Sequence, residues 1–169
     1  MIRPILRYGE TALHTRAARV EKFDEELRKL LRDMAETMYA APGVGLAATQ
    51  IGVPLRAFVI DISVGKRAGE LIEMVNPEFI SCEGMQLEEE GCLSLPGFEA
   101  TVVRPMRAVV RGFDRDGSEK TVEGTGLLAR ALQHEMDHLD GSLFVDRLRG
   151  IKRDVILRKV QKLKRTGKW

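Results

Sequence analysis

Cysteine and histidine are both scarce in this chain of 169 residues, with two of the former and three of the latter. Two thiols argue against a disulfide-stapled scaffold, and a chain of this length buries a core without one. Each thiol is better read as buried, catalytic or metal-bound. No apolar run is long enough to cross a bilayer. The opening Met1-Ile2-Arg3-Pro4-Ile5-Leu6-Arg7 lacks the apolar core and small-residue cleavage site of a secretory signal, so a cytoplasmic protein is expected. The net charge of +2 is too small to argue for nucleic-acid binding across the surface. There is no internal repeat, low-complexity tract or linker, so residues 1–169 read as one domain. Hydrophobic residues at 44% and charged residues at 31% give an ordinary globular composition.

Periodicity then orders the chain. Leu27, Leu30, Leu31, Met34 and Met38 recur at helical spacing from Asp24, a plausible N-cap, to about Tyr39. Ala41-Pro42-Gly43 stops that helix, and the glycine-rich stretch Pro42–Pro54 reads as a loop. Strands are expected at Ala57–Ile62, Ile72–Val75, Glu78–Cys82, Thr101–Val103 and Ala108–Phe113. The turn Asp114-Arg115-Asp116-Gly117 leads into another at Glu119–Val122. A second helix is expected from about Thr125 to Leu139, closed by Gly141. A third runs from about Ile151 to Arg165, with Ile151, Val155, Val160 and Leu163 near one face. Strands grouped between helices without regular alternation indicate an α+β fold. Antiparallel sheets would surround a central helix, with a basic helix at the C-terminus.

That central helix carries the most informative segment, His134-Glu135-Met136-Asp137-His138. Histidines four apart on a helix stand one turn above each other and can reach one metal ion. Glu135, offset by about 100° around the helix, stands beside them, where a general base for water held by the metal belongs. Leu127 and Ala131 precede His134 by seven and three residues and would wall the metal site with apolar surface. A catalytic site of this kind needs a third protein ligand and an open position. Cys92 in Glu90-Gly91-Cys92-Leu93-Ser94 is the strongest candidate, and spacing leaves a carboxylate or His14 open. Cys82, between Ser81 and Glu83, reads as a buried structural cysteine.

Three segments together resemble the signatures of the peptide deformylases. They are Gly43-Val44-Gly45-Leu46-Ala47-Ala48-Thr49-Gln50, Glu90-Gly91-Cys92-Leu93-Ser94, and Gln133-His134-Glu135-Met136-Asp137-His138-Leu139-Asp140-Gly141. The histidine motif alone is shared by many metallopeptidases; the other two are far more specific. The resemblance implies removal of the N-formyl group from the N-terminal methionine of new proteins, with release of formate. It implies that Cys92, His134 and His138 bind the metal, that Glu135 activates the attacking water, and that it later protonates the departing amine. Gln50 and the backbone N–H of Leu93 would stabilise the oxyanion. Val44, Gly45, Leu127 and Ala131 would bind a formyl-methionyl chain added as a strand, with the methionine side chain in an apolar pocket. Fe2+ is the metal implied, with Zn2+, Ni2+ or Co2+ able to occupy the same ligand set. Arg130 and Glu99 depart from some family members and bear on peptide preference. A bacterial cytoplasm follows from the chemistry, since formylated initiation is bacterial, although an organelle enzyme would look similar.

The last helix carries Lys152, Arg153, Arg158, Lys159, Lys162, Lys164 and Arg165. It reads as a solvated charged face or as a contact with ribosomal RNA; no membrane contact and no sequence-specific nucleic-acid binding are expected. Three rival functions remain. A metallopeptidase would want a further histidine or glutamate downstream, and no histidine follows His138. A structural metal would be closed by four protein ligands and leave Glu135 idle. An inactive relative is argued against by the intact Gln50 and Glu135.

Overall fold

The computed structural model describes all residues, 1–169. Helix α1 spans Glu25–Ala40, and the Asp24 side chain accepts from the Leu27 N–H at 3.1 Å, the N-cap expected of it. Such a cap contributes about 1 kcal/mol. Strand β1, Gly45–Ala47, and a 3-10 turn, Ala48–Ile51, lie inside the stretch read as a loop. Three residues are too few to show a periodicity, so that reading is corrected. Then come β2, Ala57–Ile60, and β3, Ile72–Glu83. The latter joins two expected strands into one, its register shifting where Asn76 takes φ +50° beside Pro77. Strand β4, Gln86–Gly91, was not expected, because Gln-Leu-Glu-Glu-Glu-Gly has little β preference of its own. β5 spans Glu99–Arg104, β6 Arg107–Phe113 and β7 Glu119–Thr125. Helices α2, Gly126–Leu139, and α3, Ile151–Arg165, lie where expected.

The strands form a five-stranded antiparallel sheet in the order β1-β2-β3-β6-β7 and a separate antiparallel pair, β4-β5. Alternation along each strand divides the sheet's side chains between two helices. Leu46, Ala57, Val59 and Val75 pack with Leu27, Leu31, Met34 and Met38 of α1. Ala47, Phe58, Ile60 and Met74 pack with Ala131, Leu132, Met136 and Leu139 of α2. The expected α+β architecture with a central helix is present.

A third apolar cluster joins β5 and the chain after α2 to α3, through Val102, Phe144, Val145, Ile156 and Val160. Here the helical face needs correction. Ile151 is 80% exposed and Val155 41%, whereas Ile156 and Val160 carry the docking. Cys82 also departs from its reading: it is exposed on β3. The paired strands place it there.

Candidate metal centre and substrate cleft

Helix α2 is buried along most of its length, so nearly every polar side chain on it has to be accounted for. Gln133 donates to the carbonyls of Pro105 and Ala129. Asp137 receives Arg147 through two bonds, at 2.6 and 2.7 Å, and Arg104 at 3.0 Å. Arg130 donates to Glu90 at 2.6 Å, to Gln86 at 3.2 Å and to the Val102 carbonyl at 2.9 Å. Arg104, fully buried, grips the same Glu90 carboxylate at 2.5 and 2.7 Å. The fourth contact to Glu90 comes from His134 Nδ1 at 2.5 Å. Burial alone would raise the Glu90 carboxyl, but His134 and Arg104 overcome it and hold Glu90 well below the usual carboxylate range. Sequence reading singled out none of Glu90, Arg104, Asp137 and Arg147. Strand β4 was missed, and with it the placement of Gln86 and Glu90, its two buried residues, which marks Glu90 as a buried acid needing partners.

With Nδ1 held by Glu90, His134 presents Nε2 to the interior. That atom lies 3.2 Å from His138 Nε2, which lies 3.3 Å from the Cys92 sulfur. All three donor atoms fall within 4.8 Å of one another. A tetrahedral ion bonded at about 2.0–2.1 Å to nitrogen and about 2.3 Å to sulfur separates its donors by roughly 3.3–3.6 Å. The Cys92, His134 and His138 donors fit such an ion. The alternatives for a third ligand fall away: His14 is elsewhere, its Nε2 accepting from the Gly9 N–H at 3.0 Å. Carboxylate Glu90 faces the far side of the His134 ring.

Around this centre the structure brings together the other expected residues. Gln50 Nε2 is 3.6 Å from the Cys92 sulfur and donates to Ser94 Oγ at 3.1 Å, while its Oε1 accepts from the Ala47 N–H at 2.9 Å. No carbonyl or side chain of the protein accepts from the Leu93 N–H. Glu135 is 3% exposed and its Oε1 has no partner. Burial pushes its carboxyl up to about 7. The reason Gly45 is a glycine is geometric: a β-carbon there would lie 2.5 Å from Glu135 Oε2. At Gly43 it would lie 2.8 Å from Leu93 Cδ1.

Val44, Gly45, Gln50, Leu127, Ala131 and Glu135 all line one open cleft of about 1040 Å³, which His134 and Cys92 also reach. Its size suits a short peptide. Glu99 and Arg130 line it too. The Arg130 charge is spent on Glu90, so it borders the cleft without a free cation.

A polypeptide deformylase family model matches residues 2–154. The chain belongs to the polypeptide deformylase family. It is 50% identical over 169 residues to the peptide deformylase of Acidobacterium capsulatum, covering 100% of this chain and 99% of that one. To the peptide deformylase of Xylella fastidiosa strain M12 it is 49% identical over 165 residues, 96% of either chain. Among solved structures, a peptide deformylase from Legionella pneumophila superposes with a TM-score of 0.92 at 50% identity, over 99% of this chain and 98% of that one. A peptide deformylase from Synechococcus elongatus, solved in complex with actinonin, gives 0.89 at 37% identity, over 95% and 90%. The deformylase activity of the family, hydrolytic removal of the N-formyl group from new peptides, comes with this membership. No helix is long and apolar enough to cross a membrane.

Proposed function

We propose that the chain deformylates N-formylmethionyl nascent peptides at a divalent metal held by Cys92, His134 and His138, with Fe2+ as the native ion. The observation that carries this reading is Glu135: a buried carboxyl group with no hydrogen-bond partner in the protein, beside three converging metal donors, on the wall of a peptide-sized cleft. A purely structural site would have no use for it. When bound, the ion supplies Lewis acidity and an activated water.

The chain's own residues supply the rest. Glu135 takes the proton of the attacking water and returns it to the departing amine. Gln50 Nε2 and the Leu93 N–H are the donors assigned to the oxygen that becomes negative. Losing one such donor costs about 3 kcal/mol of barrier in other hydrolases. Two open strand edges flank the cleft: β1 is an edge of the large sheet, and β4 pairs only with β5. A peptide can therefore be added as a strand against Val44–Gly45 on one side and Gly91 on the other. Leu127, 52% exposed, and Ala131 offer the methionine side chain an apolar wall.

The exposed lysines and arginines of α3, docked by Ile156 and Val160, suit contact with ribosomal RNA. Truncation of the helix should then weaken ribosome binding, and unchanged binding would remove that part of the reading. The central test is formate release from formyl-Met-Ala-Ser by anaerobically purified, iron-loaded protein beside Glu135→Ala. Formate from the wild type alone is expected. None from fully metallated wild type would refute the proposal.

A further inference from the structure

Residues 6–8 have no regular structure, yet they touch both supports of the oxyanion donors. The Leu6 N–H donates to the Gln50 carbonyl at 2.7 Å, and the Tyr8 N–H to the Ser94 carbonyl at 2.9 Å. Gln50 and Ser94 both face the Cys92 sulfur, the Ser94 N–H at 3.4 Å. These three residues therefore splint the turn carrying Gln50 to the turn carrying Leu93.

The splint is fastened from 161 residues away. Trp169 Nε1 donates to the Tyr8 carbonyl at 2.9 Å. Its ring meets Phe98 edge-on, with centroids 6.0 Å apart and planes at 66°. The Arg7 guanidinium lies 5.7 Å from the indole centroid, a cation–π contact. Phe98 ends the loop that starts at Cys92, a loop tied by Leu95 N–H to the Cys92 carbonyl and Phe98 N–H to the Leu95 carbonyl. Phe98 and Arg7 both line the cleft. Trp169 is the sole tryptophan and lies beyond residue 154, where the family match ends.

We propose that Trp169 is a positioning residue for deformylation: by clamping residues 6–8 and bracing Phe98, it fixes Gln50 and the Leu93 N–H in register around the reacting carbonyl. The assignment rests on the reading of those two groups as oxyanion donors. Donors matched to the transition state lose effect when they loosen, whereas substrate binding along the strand edges does not depend on them. Loss of the clamp should therefore lower kcat and spare KM. An indole that merely covered surface would change stability alone.

The test uses the full chain, iron-loaded, with rates per metal-loaded molecule. Trp169→Ala should lower kcat on formyl-Met-Ala-Ser by about 5- to 10-fold and leave KM within about twofold. Trp169→Phe, which keeps a ring against Phe98 and removes the N–H, should fall between that variant and wild type. Hydrogen exchange supplies a readout independent of rate: the Leu6 and Tyr8 amides should exchange faster in Trp169→Ala, with those of Leu30 and Leu31 in α1 unchanged. A kcat within twofold of wild type, or uniformly faster exchange along the chain, would overturn the assignment. A wild type that releases no formate would overturn the deformylase reading and this assignment together; an active wild type matched by Trp169→Ala overturns this assignment alone.

Discussion

Gly45→Ala is the sharpest perturbation of the site, because it adds one carbon where the geometry leaves no room. The new β-carbon would lie 2.5 Å from Glu135 Oε2, 3.0 Å from Cδ and 3.3 Å from Cγ. Ordinary contact begins near 3.4 Å, so the carboxylate must retreat by about 1 Å. A misplacement of that size at a reacting group costs about 100-fold in rate. The fold should tolerate the change. Gly45 is absent from the positive-φ residues, so alanine can adopt its backbone, and its pairing with Ile60 in β2 is unaffected. In a strand, alanine even gains roughly 0.5–1 kcal/mol over glycine. Formate release by metal-loaded Gly45→Ala should therefore show kcat down by about 100-fold, with metal content and melting temperature near wild type. A variant within about threefold of wild-type kcat would show that Glu135 need not occupy its observed place, and the assigned proton transfer would fail.

Glu90→Gln leaves two buried guanidiniums short of a counter-charge and His134 Nδ1 without its carboxylate. It should cost about 3–5 kcal/mol of stability and weaken metal retention about 10- to 100-fold. Denaturant melts and chelator competition check the two effects, and unchanged retention would refute the role given to Glu90. Chelation to metal-free protein should abolish formate release and lower the melting temperature by mass action, both restored on reloading; activity without metal by elemental analysis would refute the proposed function. Peroxide should inactivate the iron-loaded protein, since a thiolate ligand oxidises, and unchanged activity would count against iron. Tyr39 donates to Asp61 at 2.6 Å, and burial together with that carboxylate pushes Tyr39 up to about 12. Burial would raise Asp61, but Tyr39 and Ser63 bonds outweigh it and hold it below its ordinary value. The tyrosine's contribution is thus full below about pH 10 and lost as pH rises through 12. Asp61's contribution is present above about pH 4 and lost as pH falls below it. Tyr39→Phe should cost about 1.5–3 kcal/mol at neutral pH and progressively less below pH 4; a penalty independent of pH would refute the pairing.

Much of this was legible in the sequence because the relevant signals are local. A cap such as Asp24, a heptad-like run such as Leu27–Met38, or two histidines a turn apart can be read within a dozen residues. Strand β1 and strand β4 were illegible for the opposite reason. Gly45–Ala47 is held by its pairing with β2, and Gln86–Gly91 by β5 and by arginines distant in sequence, so neither declares itself by composition. Charge hid the rest. Arginines and glutamates default to surface positions, and nothing within reach of Arg104 in the sequence says that its partners are Glu90 and Asp137.

The position of that buried charge network also explains how two unlike elements make one centre. The sulfur comes from the end of a strand, the imidazoles from a helix, and no backbone hydrogen bond joins β4 to α2. Side chains join them: Gln86, which donates to the Gly126 carbonyl and accepts from Arg130, and Glu90, two residues before Cys92, bonded to Arg130 and His134 on α2 and to Arg104 on β5. Arg104 reaches on to Asp137, one residue before His138. Buried ion pairs contribute little stability over well-packed apolar groups, so stability is a weak reason for burying Glu90, Arg104, Arg130 and Asp137 here. Orientation is a stronger one. Each carboxylate sits within two residues of Cys92 or His138, and each bond is directional. The network therefore sets the strand-to-helix spacing at the 3.3 Å seen between the Cys92 sulfur and His138 Nε2, which apolar packing, tolerant of sliding, would leave free.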